Sequence, residues 1–134
     1  MKKVLTLLSL TLFLSFAYGQ DLSQDPEMKN EIEDLADLVG NKLMNCCSKW
    51  GGKNMSTTVY WGKDNNGKYQ TRMSNLTKRL TVTMKVQWYG SITGTKYWIK
   101  GKVVMNLETG LREWIKISDS GGFSPGCGRD CSVN

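Results

Sequence analysis

LTVTMKVQWY, residues 80–89, alternates without a slip. Leu80, Val82, Met84, Val86 and Trp88 share one parity; Thr81, Thr83, Lys85, Gln87 and Tyr89 share the other. Successive side chains of an extended chain point to opposite faces, so this stretch is a strand with one greasy and one wet face. Gly90 to Gly94 turns the chain. From Thr95 to Leu107 the pattern repeats, with Tyr97, Ile99, Gly101, Val103, Met105 and Leu107 on the apolar side. Lys96, Trp98, Lys100, Lys102 and Asn106 take the other side, with Val104 as an exception. Glu108-Thr109-Gly110 makes the next turn. In Leu111 to Ser118 the apolar residues Leu111, Ile115 and Ile117 are expected inward, and Arg112, Trp114, Lys116 and Ser118 outward. Glu113 then falls on the apolar side, out of place. Half-wet strands joined by short turns read as an antiparallel meander.

Toward the N-terminus, Met55 to Trp61 and Lys68 to Met73 read as two further strands. Asp64-Asn65-Asn66-Gly67 turns between them, with residues that tolerate positive φ. Before Gly51-Gly52 the period changes. Met28, Ile32, Leu35, Val39 and Leu43 recur at spacings of four, three, four and four, the signature of one amphipathic helix. Asp25-Pro26 starts it, since Asp accepts the free amides and Pro fits the first helical position. Gly40 within it costs about 1 kcal/mol against Ala and suggests a close contact. The fold class is therefore α+β: one N-terminal helix (about 26–48) packed on an antiparallel sheet of about five strands (about 55–118). An irregular tail, 119–134, follows.

Lys2 and Lys3, the apolar run Val4 to Phe16, and Ala17-Tyr18-Gly19 predict a signal peptide over 1–19, cleaved before Gln20. Residues 20–134 then form a single secreted domain, extracellular or, in a bacterium, periplasmic. The apolar run is shorter than the about 20 residues a span needs, so no membrane span is expected.

Charge is uneven. Asp21 to Ser48 holds seven acids and two lysines, net −5; Lys49 onward holds fourteen bases and five acids, net +9. The two parts dock on each other, cover opposite faces, or leave the basic part for an anionic partner.

Exported cysteines normally pair. Adjacent Cys46 and Cys47 bridge each other only with strain. The expectation is two helix-to-tail bridges to Cys127 and Cys131, in either of two pairings, pinning the tail. A four-thiolate zinc site has the wrong spacing and no metal is expected.

The chain has no histidine. That removes the commonest general base, the Ser-His and Cys-His nucleophile systems and most catalytic zinc sites. No phosphate loop or dinucleotide fingerprint occurs; Gly126-Cys127-Gly128 belongs to the tail. The expectation is binding without catalysis and without cofactor. Asn54-Met55-Ser56 and Asn75-Leu76-Thr77 are N-glycosylation acceptors in a eukaryotic host.

The wet face supplies the candidate ligand-binding residues: Lys85, Trp98, Lys100, Lys102, Arg112, Trp114 and Lys116. Bases interleaved with aromatics suit an anionic polymer or glycan, held by charge and stacking. Against this, the tail, a second copy of the chain or curling into a barrel would cover the tryptophans.

A secreted, basic, four-cysteine chain with one long helix followed by antiparallel strands resembles the cystatins in plan. Their Gln-x-Val-x-Gly hairpin has no counterpart, Gln87-Trp88-Tyr89-Gly90 being different. Trp50 to Met55, Gly67-Lys68-Tyr69, Val86-Gln87-Trp88 and Trp114 are faintly similar to avidin. These resemblances imply a protease inhibitor with an exposed apolar hairpin tip, acting on another protein, or a small-ligand barrel enclosing Trp88 and Trp114. They transfer no site.

Overall fold

The computed structural model describes residues 22–48, 50–122, 127 and 131–134. The signal peptide expected over 1–19 lies outside them, as does much of the tail. After a 3-10 turn, Leu22–Gln24, helix α1 runs Pro26–Cys47. Asp25 caps it: one carboxylate oxygen accepts the amides of Glu27 at 3.1 Å and Met28 at 3.2 Å. Five strands follow: β1 Gly52–Val59, β2 Thr71–Ser74, β3 Arg79–Gly90, β4 Lys96–Asn106 and β5 Arg112–Asp119.

All pairings are antiparallel. β3 is the spine, with β4 and then β5 on one side of it. Its other side is shared end to end, β1 opposite Met84–Gly90 and β2 opposite Arg79–Val82. The chain between β1 and β2 leaves the sheet as a hairpin that closes at a single bridge, Lys63 to Tyr69. β1 and β5 bound the sheet and do not pair with each other, so it is open and no barrel forms.

All five periodic helix residues, Met28, Ile32, Leu35, Val39 and Leu43, are buried on the sheet's inner face. They meet Leu80, Val82, Met84, Val86 and Trp88 of β3 and Ile99, Val103 and Met105 of β4, as the alternation requires. Each such side chain contributes on the order of 2 kcal/mol by leaving water. Gly40 permits the approach: a Cβ there would lie 2.7 Å from Thr57 Cγ2.

The cysteines form two helix-to-tail bridges, Cys46–Cys131 and Cys47–Cys127, with Cα separations of 5.9 and 5.2 Å. Beyond them Val133 is buried, and the Asn134 side chain pairs with β5. Asn134 Nδ2 donates to the Arg112 carbonyl at 2.9 Å, and the Arg112 amide donates to Asn134 Oδ1 at 2.6 Å.

β5 presents the opposite face to the one expected. Met105 is registered with Arg112 and Val103 with Trp114. Directly opposed residues share a face, so Arg112 and Trp114 point inward. They are 4% and 7% exposed. Leu111, Ile115 and Ile117 are exposed instead, and Glu113 stands in solvent opposite Val104, not in an apolar setting. The docked tail accounts for the inversion. It brings polar backbone under the edge of the sheet, so the Arg112 guanidinium donates to the Val133 carbonyl at 2.7 Å, and Trp114 lies across Gly101.

Candidate functional site

The seven basic and aromatic candidates separate into two groups. Lys85, Trp98, Lys100 and Lys102 lie together on the outer face, across β3 and β4. Arg112 and Trp114 belong to the core. Lys116 sits in register with Gly101 and turns to the tail: its Nζ donates to Asp119 Oδ2 at 2.8 Å and to the Cys127 carbonyl at 3.3 Å. The Lys116 and Gly121 hydrogen bonds hold the Asp119 carboxyl below the usual carboxylate range. Burial lowers the Arg112 pKa.

Within the outer group the register places Lys85 directly opposite Lys100, Thr83 opposite Lys102 and Gln87 opposite Trp98. Like charges facing each other across a ladder are destabilising. Aromatic rings offset part of that cost. Lys85 Nζ lies 4.9 Å from the Trp98 ring centroid, and Lys100 Nζ lies 4.4 Å from that of Tyr60. Among the described residues neither lysine has a carboxylate partner, and the ion pair is Lys116–Asp119.

The hairpin between β1 and β2 adds a wall. Asp64 Oδ1 accepts from the amides of Asn66 at 2.8 Å and Lys68 at 3.0 Å, which fixes the turn expected at 64–67. The Lys68 amide is the main cause holding the Asp64 carboxyl below its ordinary value. Tyr60 and Gln70 tie the hairpin base to β3: the Tyr60 amide donates to the Thr83 carbonyl at 2.9 Å, and Thr83 Oγ1 donates to the Gln70 carbonyl at 2.7 Å. A groove of about 410 Å³ results. Lys63, Lys68, Arg72, Lys100 and Lys102 line it, with Asp64 as its acid and Ile117 of β5 on the far side. Sequence reading passed over the hairpin's contribution. Its signal was Lys63, Lys68 and Arg72 bracketing a turn, read only for the turn.

The acidic helix packs on the inner face of the sheet, so the two parts of the chain dock through their apolar sides, with the helix acids and the outer-face lysines on opposite faces. Elsewhere, the β3–β4 turn meets the loop after α1. The Ser91 amide donates to the Gly51 carbonyl at 3.3 Å. Trp50 and Ile92 stand there 76% and 74% exposed, beside a cleft of about 220 Å³. Asn54 is exposed at the β1 bulge with φ 53°, and Asn75 follows β2, partly buried. No helix among the described residues is long and apolar enough to cross a membrane. Comparison with protein-family models, with curated proteins and with solved structures finds no match in any of the three.

Proposed function

We propose that this is a secreted, disulfide-stapled binding protein whose outer sheet face takes an anionic polymer or glycan, and that it is not an enzyme. The observation that carries this reading is the opposed pair Lys85 and Lys100, with Lys102 alongside and, among the described residues, no carboxylate paired to any of them. Such an arrangement costs stability in the free protein and is relieved by a polyanion. Paired cysteines suit an oxidising compartment outside the cytosol. Catalysis would need a positioned acid or base. The chain has no histidine, and both Asp64 and Asp119 accept structural hydrogen bonds. The test is retention on immobilised heparin along a salt gradient. Lys85→Gln with Lys100→Gln should elute at clearly lower salt than the parent, because each lost ion contact removes salt-dependent affinity. Failure of the parent to bind at low salt overturns the reading.

A second reading, an inhibitor of secreted proteases, is favoured by the β3–β4 hairpin tip, where Ile92 stands exposed beside Trp50 of the loop after α1. It predicts inhibition of at least one protease in a panel and its loss in Ile92→Asp. A panel with no inhibition removes it.

A further inference from the structure

The geometry points to a linear sulfated polysaccharide as the ligand class, with its sulfate groups held in the groove between the 60–70 hairpin and the sheet. This inference rests on the outer face being the polymer-binding surface. Two features carry it. Five cations from three separate segments converge on one concave space: Lys63 and Lys68 from the hairpin, Arg72 from β2, and Lys100 and Lys102 from β4. Its volume, about 410 Å³, falls within the roughly 300–1,000 Å³ of small-ligand sites. That suits one or two sugar units of a longer chain.

The rings decide between polymers. Single-stranded nucleic acids bind by stacking bases on open aromatic faces. Here a lysine ammonium lies over each of the three rings nearest the groove: Lys63 over Tyr69 at 4.9 Å, Lys100 over Tyr60 at 4.4 Å and Lys85 over Trp98 at 4.9 Å, while Tyr89 of the same face carries no such cation among the described residues. The rings position cations rather than offer platforms. Discrete, closely spaced anionic groups match that surface better than planar bases do. Asp64 opposes an anionic ligand and so supplies a test. It stays ionised under the Lys68 and Asn66 amides and sits at the groove wall, so it repels an anion. Asparagine retains the oxygen that accepts these bonds and removes the charge.

The experiment titrates the intact, oxidised protein with a heparin octasaccharide and with an oligothymidylate of matched charge, at several salt concentrations. The octasaccharide is expected to bind more tightly than the oligonucleotide. Lys68→Gln with Lys102→Gln should weaken it by about tenfold, the summed worth of two exposed charge contacts, and lower the salt slope by about two. Asp64→Asn should tighten it by about twofold, a gain that misfolding does not produce. Lys53→Gln, outside the groove, serves as the control. If the octasaccharide binds but the groove variants behave like Lys53→Gln, the groove is overturned and the outer-face reading stands. Equal or tighter oligonucleotide binding overturns the ligand class. Absence of binding by both polymers overturns this inference together with the proposed function.

Discussion

At the residue scale, two glycines mark where the layers touch. Gly101 lies under Trp114: a Cβ there would fall 2.5 Å from the Ile115 carbonyl oxygen and 2.6 Å from Trp114 Cζ2. Backbone of a paired strand cannot yield, and the indole is buried. Gly101→Ala should therefore cost about 2–3 kcal/mol, as overpacked cores do. Gly40 makes the useful contrast. Its added Cβ would meet the tip of a side chain, Thr57 Cγ2 at 2.7 Å, and alanine recovers about 1 kcal/mol of helix propensity. The two opposing effects should leave Gly40→Ala within about 1 kcal/mol of the parent. Urea unfolding of both variants checks the pair. A neutral Gly101→Ala would mean that Trp114 does not cover it.

At the element scale, β5 decides what the tryptophans are. Trp114 is core and Trp98 is half-exposed on the outer face. Trp114→Ala should cost about 3–5 kcal/mol by opening a large cavity. Trp98→Ala should cost about 1 kcal/mol, in the range of an ordinary partly exposed site, while freeing Lys85 from its ring. Thermal unfolding separates them, and equal losses would contradict the register. β3 and β4 were legible in the sequence because each pairs on both sides and keeps a two-faced alternation, broken in β4 by Val104 alone. The helix was legible for the same reason, one continuous apolar stripe. β5 was not, since its inner side is completed by Val133 and Asn134, residues about twenty positions on. An arginine that donates to a carbonyl and a tryptophan that lies on a glycine look polar or exposed when read locally. The cysteine pairing was illegible too. Loops of 80 and 85 residues differ too little in closure entropy to choose between partners. Only the fold, by setting which thiol faces which part of the tail, does so.

At the scale of the whole molecule, the sheet divides two charge fields. Acids lie on α1, over the inner face, and the groove cations lie on the outer face. A helix with its side chains is about 10 Å thick, beyond the ~8 Å Debye length at physiological ionic strength. The helix acids are thus largely screened from a ligand on the sheet. This separates a built site from mere net positive charge. Glu33→Gln with Asp34→Asn raises the net charge by two, at two exposed helix positions. Binding governed by net charge would strengthen severalfold. Binding governed by the outer face should change by less than about twofold at physiological salt, because the added charge lies beyond the screening length. Lys100→Gln with Lys102→Gln changes net charge by the same amount in the opposite sense, yet should weaken heparin binding by about tenfold, from the loss of two direct contacts. Titrating both double variants at two salt concentrations makes the comparison. Changes of equal size and opposite sign would assign the attraction to the protein's overall charge and remove the outer face from it.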